Sequence, residues 1–156
     1  GMLSFDRGWV SVEGRYMGKS FKFVNTHLEV EDSPEVQQAQ AAEFLSGPAR
    51  GRQTIAVGDF NSAADGSTTN SYAQLTAPRA FQDAWTVNAG DLGLTCCQNS
   101  TLTNPSPALN SRIDLILTRG PIRTLSAETV GVETFQEAPP FWASDHAGVV
   151  ATVRIR

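Results

Sequence analysis

The sequence predicts a domain of the α+β class, and three observations carry this prediction. Five or six short runs are rich in apolar and β-branched residues, as is typical of strands. Residues 33–48 have the composition of a helix, with a proline near the start and a Gly-Pro pair at the end. Polar and ionisable residues follow several of the strands, and binding sites are commonly built at such strand ends.

The N-terminal part predicts a β-hairpin followed by one clear helix. Apolar residues that alternate from Trp9, a glycine-containing turn and an apolar run from Phe21 indicate two paired strands. In SPEVQQAQAAEFLSGP we expect Pro34 to be the first helical residue. The spacing of Val36 and Phe44 gives this helix an apolar face, which is expected to pack on the sheet.

The remaining elements are strands separated by polar segments. TIAVGDF, residues 54–60, is expected to be a central strand that is covered on both faces. Residues 89–111 are rich in Gly, Asn, Pro and Ser and predict a long surface loop. Further strands are expected in RIDLILT, in LSAETVGVE and from Gly148 to the end of the chain.

Length and composition predict a single domain over residues 1–156. Of the 156 residues 40% are hydrophobic, which is enough for a substantial core. The net charge is −4, whereas proteins that bind long duplex DNA typically have a basic surface, so this class of protein is not favoured. No run approaches the roughly 18 apolar residues of a membrane span. Gly1 directly before Met2 is typical of a residue left by an expression tag.

The two cysteines, Cys96 and Cys97, are adjacent in a polar segment. Structural zinc sites use ligands that are separated along the chain, so this pair does not indicate one. Two unreactive thiols, a vicinal disulfide and pairing with a cysteine elsewhere remain alternatives at this level.

Four short segments share one pattern, in which an apolar strand is followed or preceded by polar residues. The segments are FVNTHL with Asn25 and His27, VGDFN with Asp59 and Asn61, SRIDLIL with Arg112 and Asp114, and WASDHAG with Ser144, Asp145 and His146. Each residue alone is explained by a turn, a cap or a packing role. The recurrence of the pattern, which includes both histidines of the chain, favours a functional site.

These residue types suit metal-assisted attack of water on phosphorus. Carboxylates such as Asp59 and Asp145 bind hard cations through oxygen. His146 has the chemistry to accept a proton from water, and Asp114 to fix its tautomer. Hydrogen bonds to the phosphate are expected from Asn61 and His27. A serine–histidine–aspartate triad is the competing arrangement, but the sequence contains no Gly-x-Ser-x-Gly motif around a nucleophile.

In order and context, NTHL, GDFN, RIDLIL and SDH resemble the second half of the endonuclease/exonuclease/phosphatase superfamily. That superfamily includes deoxyribonuclease I, abasic-site endonucleases, sphingomyelinases and inositol polyphosphate 5-phosphatases. The resemblance runs from about Phe21 to the C-terminus. It implies half of a four-layer α/β/β/α sandwich, a mainly antiparallel sheet with helices on one face.

The resemblance also implies a role for each matching residue. The implied catalytic residues are His27, Asp59, Asn61, Asp114 and His146. A cofactor of Mg²⁺ or Mn²⁺ is implied, with Asp145 and Asp59 as ligands. The substrate contacts are expected from Asn25, Asn61 and Arg112.

The family domain is longer than this chain, and its first half supplies a metal-binding glutamate. The chain is therefore expected to be the C-terminal portion of such a domain, with one bare sheet face. The leading hypothesis is a metal-dependent phosphoesterase for a phosphorylated small molecule, a lipid headgroup or nucleic acid. The alternative is a non-catalytic half-domain that forms a homodimer or binds a partner through the exposed face.

Overall fold

A computed structural model describes residues 6–156, so Gly1, interpreted above as a tag remnant, lies outside the described residues. The strands are β1 (Trp9–Tyr16), β2 (Lys19–His27), β3 (Thr54–Asp59), β4 (Gln82–Asp83), β5 (Asp114–Arg119), β6 (Ile122–Val130), β7 (Gln136–Glu137), β8 (Pro140–Phe141) and β9 (Gly148–Ile155). The helices are α1 (Pro34–Ser46), α2 (Ser71–Leu75) and a 3₁₀-helix (Ala84–Val87). Within residues 6–156, no helix is long and apolar enough to cross a membrane.

Five strands form the main sheet in the order β1-β2-β3-β5-β4. Only the β2–β3 pair is parallel, and the other three pairs are antiparallel. The parallel pair is joined through α1, because parallel neighbours need a long crossover connection. The predicted α+β class with a mainly antiparallel sheet is therefore confirmed.

One face of the main sheet packs against the helices and forms the core. Val24, Ala56 and Leu117 point from the sheet into a buried cluster. Phe44 of α1 meets Phe60 in an edge-to-face contact with 5.9 Å between ring centroids. Helix α1 starts at a proline as predicted. Its buried residues are Gln37, Ala41 and Phe44, whereas Val36, expected on the apolar face, is exposed.

The opposite face of the main sheet is covered in part by a second, two-stranded sheet of β6 and β9. An open groove of about 580 Å³ runs between this pair and the main sheet, lined by apolar residues such as Val57 and Val149. Beyond the groove, Val10, Val12 and Tyr16 of β1 remain 57–66% exposed. The expectation of a single sheet with one bare face is therefore wrong in part, because β6 and β9 pair with each other and cover some of that face.

Residues 89–111 have little regular structure, but they are not simply a surface loop. Thr95, Gln98 and Asn104 are buried, and their side chains form hydrogen bonds within the protein. Asn104 also accepts, through its carbonyl oxygen, a 2.8 Å hydrogen bond from the indole N–H of Trp142. The polar composition of this segment predicted that it is exposed to solvent. Instead, its buried polar side chains form hydrogen bonds with backbone groups that have no partner in a helix or strand.

Candidate active site

Strand register brings three of the predicted site residues to one edge of the main sheet. His27 at the end of β2 is paired with Asp59 at the end of β3. Asp59 is paired in turn with Asp114 at the start of β5. Because directly paired residues point to the same face of a sheet, the three side chains lie side by side.

His146 joins this row from the loop before β9. Its Nδ1 atom lies 2.8 Å from Oδ2 of Asp114, and both side chains are only partly exposed. Burial lowers the pKa of His146, but the hydrogen bond that its Nδ1–H donates to Asp114 and the negative charges of Asp114 and Asp59 outweigh it, so the pKa is raised. The Asp114 contact fixes the ring orientation and leaves Nε2 as the free nitrogen.

Asp59 is the most enclosed carboxylate of the row. Burial raises its pKa, and the neighbouring negative charge of Asp114 adds to that effect. A 2.8 Å hydrogen bond from the backbone N–H of Asn61 to Oδ1 opposes the shift. The second carboxylate oxygen lies 3.3 Å from Nε2 of His27.

The side chain of Asn61 links His27 to the segment that follows β2. Asn61 has a positive φ of 48°, a conformation that asparagine tolerates better than most residues. Its amide Nδ2 donates to the carbonyl of Leu28 at 3.0 Å and lies 3.1 Å from Nε2 of His27. A neutral His27 therefore accepts from the amide, whereas a protonated His27 donates to Asp59.

The chain is similar to known proteins both in sequence and in fold. The sequence profile of the Endonuclease/Exonuclease/phosphatase family matches residues 6–146. The chain belongs to this family. No curated protein sequence matches it. Membership places the chain in a superfamily of phosphoester hydrolases.

Several solved structures share the fold. An endonuclease/exonuclease/phosphatase from Bacteroides vulgatus is 21% identical with a TM-score of 0.74, over 100% of this chain and 60% of that one. The mannosyl-6-phosphatase of Bacteroides thetaiotaomicron is 20% identical with a TM-score of 0.66, over 89% and 53%. TDP2 from D. rerio, complexed with a single-strand DNA product, is 17% identical with a TM-score of 0.68, over 95% and 62%. The chain thus spans 53–62% of the length of these structures.

Enzymes of the endonuclease/exonuclease/phosphatase family typically use divalent metals, and the described residues offer a group that fits one. Ligand atoms of Asp59, Asp114 and His146 all lie within 4.8 Å of one another. Carboxylate oxygens bind hard divalent cations, and an imidazole nitrogen is a common ligand of transition-metal ions. Burial and the nearby charge of Asp114 raise the pKa of Asp59, and a bound cation would offset the repulsion between the two carboxylates.

Three predicted site residues lie outside this cluster of side chains. Asn25 is exposed on β2 and lines the groove beside Asp59. Asp145 is exposed, and its side chain is not among the ligand groups found in residues 6–156. Arg112 is held 2.7 Å from Asp83, a buried carboxylate that also accepts from the hydroxyl of Tyr72. Their proposed roles stay predictions.

Sequence reasoning missed two residues that support the site. Gln37 of α1 is fully buried and donates 2.7 Å hydrogen bonds to the carbonyls of Glu29 and Asn61. Thr95 accepts through its hydroxyl from the backbone N–H groups of Ile113 and Asp114. A glutamine on the helix face that packs on the sheet was a visible signal for the first. Nothing in the local sequence marks the second.

The Asp114–His146 pair predicts a pH-dependent contribution to stability. The raised pKa of His146 means that the pair stabilises the fold fully below about pH 6.5 and loses this effect as the pH rises through the raised value. Asp114→Asn should therefore lower the free energy of unfolding more at about pH 6 than at about pH 9. Urea titrations with chelator present measure this difference, and an equal loss at both pH values would contradict the assignment.

Proposed function

We propose that this chain carries the water-activating half of a metal-dependent phosphoesterase site. The observation that supports the proposal most directly is the contact of Asp114 with Nδ1 of His146, beside Asp59. This contact leaves Nε2 of His146 available to take a proton from water that attacks phosphorus. Asp114 stabilises the imidazolium that forms, as a carboxylate partner does in other acid–base pairs.

The other predicted residues have complementary roles in the proposal. His27 and Asn61 are the proposed donors to phosphate oxygens as negative charge builds there, and the Asn61 amide exchanges its contact with Nε2 of His27 for the phosphate. Asp59 orients the attacking water or the leaving group. The proposed substrate contacts outside this group are Asn25 and Arg112.

Asp59 and Asp145 are the proposed ligands of Mg²⁺ or Mn²⁺, and Asp114 lies close enough to contribute. Such a cation would polarise the phosphoryl group and neutralise its charge. The substrate class in the proposal is a phosphodiester or phosphomonoester on a small molecule, a lipid headgroup or nucleic acid. The net charge of −4 favours a small phosphorylated molecule over long duplex DNA.

Two chromogenic esters test the proposal directly. We expect the protein to hydrolyse bis-p-nitrophenyl phosphate or p-nitrophenyl phosphate with Mg²⁺ or Mn²⁺, and to lose turnover when chelator is added. Restoring the cation should restore the rate. Turnover that chelator leaves unchanged would contradict the metal dependence, and Asp59→Ala serves as the variant that separates enzyme turnover from contaminating hydrolase.

A second candidate function is partner binding through the exposed part of the main sheet. Val10, Val12 and Tyr16 form an apolar surface on an edge strand, and such surfaces mark interaction sites. The occupant proposed here is a second copy of the chain, packed face to face in a homodimer.

The homodimer predicts a concentration-dependent mass. We expect a dimer on a sizing column, and a monomer for the double variant Val10→Lys, Val12→Lys, because two charges on the packed face oppose association. Val36→Lys is the control, since Val36 is similarly exposed but lies on α1. A monomeric wild-type protein at all concentrations would exclude this candidate.

A further inference from the structure

The segment of residues 95–98 ties together the two loops that carry the acid–base pair. The backbone N–H of Ala147 donates to the carbonyl of Thr95 at 2.8 Å, and that of Gln98 donates to the carbonyl of Asp145 at 2.8 Å. Cys96 forms isolated β-bridges with His146 on one side and Ser111 on the other. A change in the backbone of this segment would therefore be transmitted to His146.

Cys97 also contacts the catalytic face of His146 directly. Its Sγ atom lies 3.8 Å from Nε2, the nitrogen that Asp114 leaves free. The sulfur atoms of Cys96 and Cys97 lie in direct contact, within reach of a vicinal disulfide bond. Cys96 is buried, whereas Cys97 is partly exposed, so a small thiol can reach the pair from the side of the site.

We propose that Cys96 and Cys97 form a reversible oxidation site that controls the availability of Nε2 of His146. The proposal rests on the proposed role of His146 as the base. In the disulfide, the sulfur beside Nε2 carries no proton. After reduction, the Cys97 thiol donates its proton in a hydrogen bond to Nε2, which then competes with the attacking water. The oxidised form is thus the active one.

The chemical step is ordinary thiol–disulfide exchange. A thiolate of a small dithiol attacks one sulfur and the Cys96–Cys97 bond breaks, which leaves a mixed disulfide and one free protein thiol. The second thiol of the reagent then attacks the mixed disulfide and releases the other protein thiol. Two electrons and two protons pass to the protein, and the reagent becomes a cyclic disulfide. A small-molecule disulfide such as oxidised glutathione reverses the exchange.

The experiment observes the ring of His146 rather than turnover, so that it remains informative if the proposed function fails. The chain has only two histidines, and His27 is the internal control. At fixed pH, with chelator present, dithiothreitol should shift the ring resonances of His146, leave those of His27 nearly unchanged, and act reversibly. Mass spectrometry counts the thiols in each state.

Variants separate the sulfur contact from general effects of the reductant. Cys96→Ala retains the Cys97 thiol, so its His146 resonances should resemble those of the reduced wild-type protein in every buffer. Cys97→Ala should show no response to reductant. If mass spectrometry confirms two new thiols but the His146 resonances do not change, the proposal is wrong. Two free thiols under oxidising conditions would also overturn it.

Turnover provides the second readout. Hydrolysis of the chromogenic diester by the oxidised protein should fall by at least about 10-fold on reduction, a fraction of the effect of removing a general base. A shift of the His146 resonances without any turnover in either state would support the oxidation site and contradict the proposed function. If reduction leaves turnover unchanged, the proposal that oxidation controls activity is wrong, whereas the proposed phosphoesterase function is not contradicted.

Discussion

His146→Ala is expected to lower kcat for phosphoester hydrolysis by about 10²- to 10⁴-fold, the range typical for loss of a general base. The expectation follows from the position of the ring, whose Nδ1 is held by Asp114, so that Nε2 is the nitrogen available to take a proton. The KM should change less, because the proton is transferred mainly in the transition state. Steady-state kinetics on bis-p-nitrophenyl phosphate with Mg²⁺ or Mn²⁺ measure both constants.

Asp114→Asn and Asp32→Asn together make this test specific to the pair. The first retains the shape of the side chain but removes the charge that stabilises the imidazolium, so kcat should fall substantially. The second makes the same chemical change at an exposed carboxylate before α1 and should leave kcat near that of the wild-type protein. If His146→Ala retains a near-normal kcat and an unchanged circular dichroism spectrum, the assignment of His146 as the general base is wrong.

The gathering of His27, Asp59 and Asp114 could be predicted from sequence for a local reason. Each residue lies at one end of an apolar run, and the strands that these runs form pair at their ends in the structure. Strand ends are visible in a sequence because composition changes there. Pairing register then brings the side chains together without any further information.

The contributions of Thr95 and Cys97 could not be predicted in this way, because they depend on contacts between distant segments. Thr95 reaches Asp114 across 19 residues, and Cys97 meets His146 across 49. The segment that holds them is polar and irregular, so its composition indicated a surface loop. A buried irregular segment can be recognised only from its tertiary hydrogen bonds, which the sequence does not show.

The second sheet was missed for a related reason. The sequence indicated the strands that became β6 and β9, but not that they pair with each other across the connecting segment. Alternating exposure along β9 is equally compatible with an edge position on the main sheet. The fold class was correct because it depends on which elements exist, whereas the covering of the groove depends on their partners.

Gly58→Ala is expected to be the most damaging small substitution in the sheet. Gly58 has a φ of 144°, and an added Cβ would collide with the carbonyl oxygen of Thr26 in the adjacent strand. Relief requires β2 and β3 to separate just before Asp59. We expect the free energy of unfolding to fall by about 3 kcal/mol, from overpacking and backbone strain together. Turnover should fall as well, because His27 and Asp59 would lose their register.

Gly66→Ala is the matched control for this prediction. Gly66 also has a positive φ, 77°, but no atom lies within 4 Å of the position that its Cβ would take. Its replacement should cost only the conformational strain of about 1 kcal/mol and should leave turnover unaltered. Urea unfolding of both variants compares the two costs. Equal losses would mean that backbone conformation, rather than the close approach of β2 and β3, explains the glycine beside Asp59.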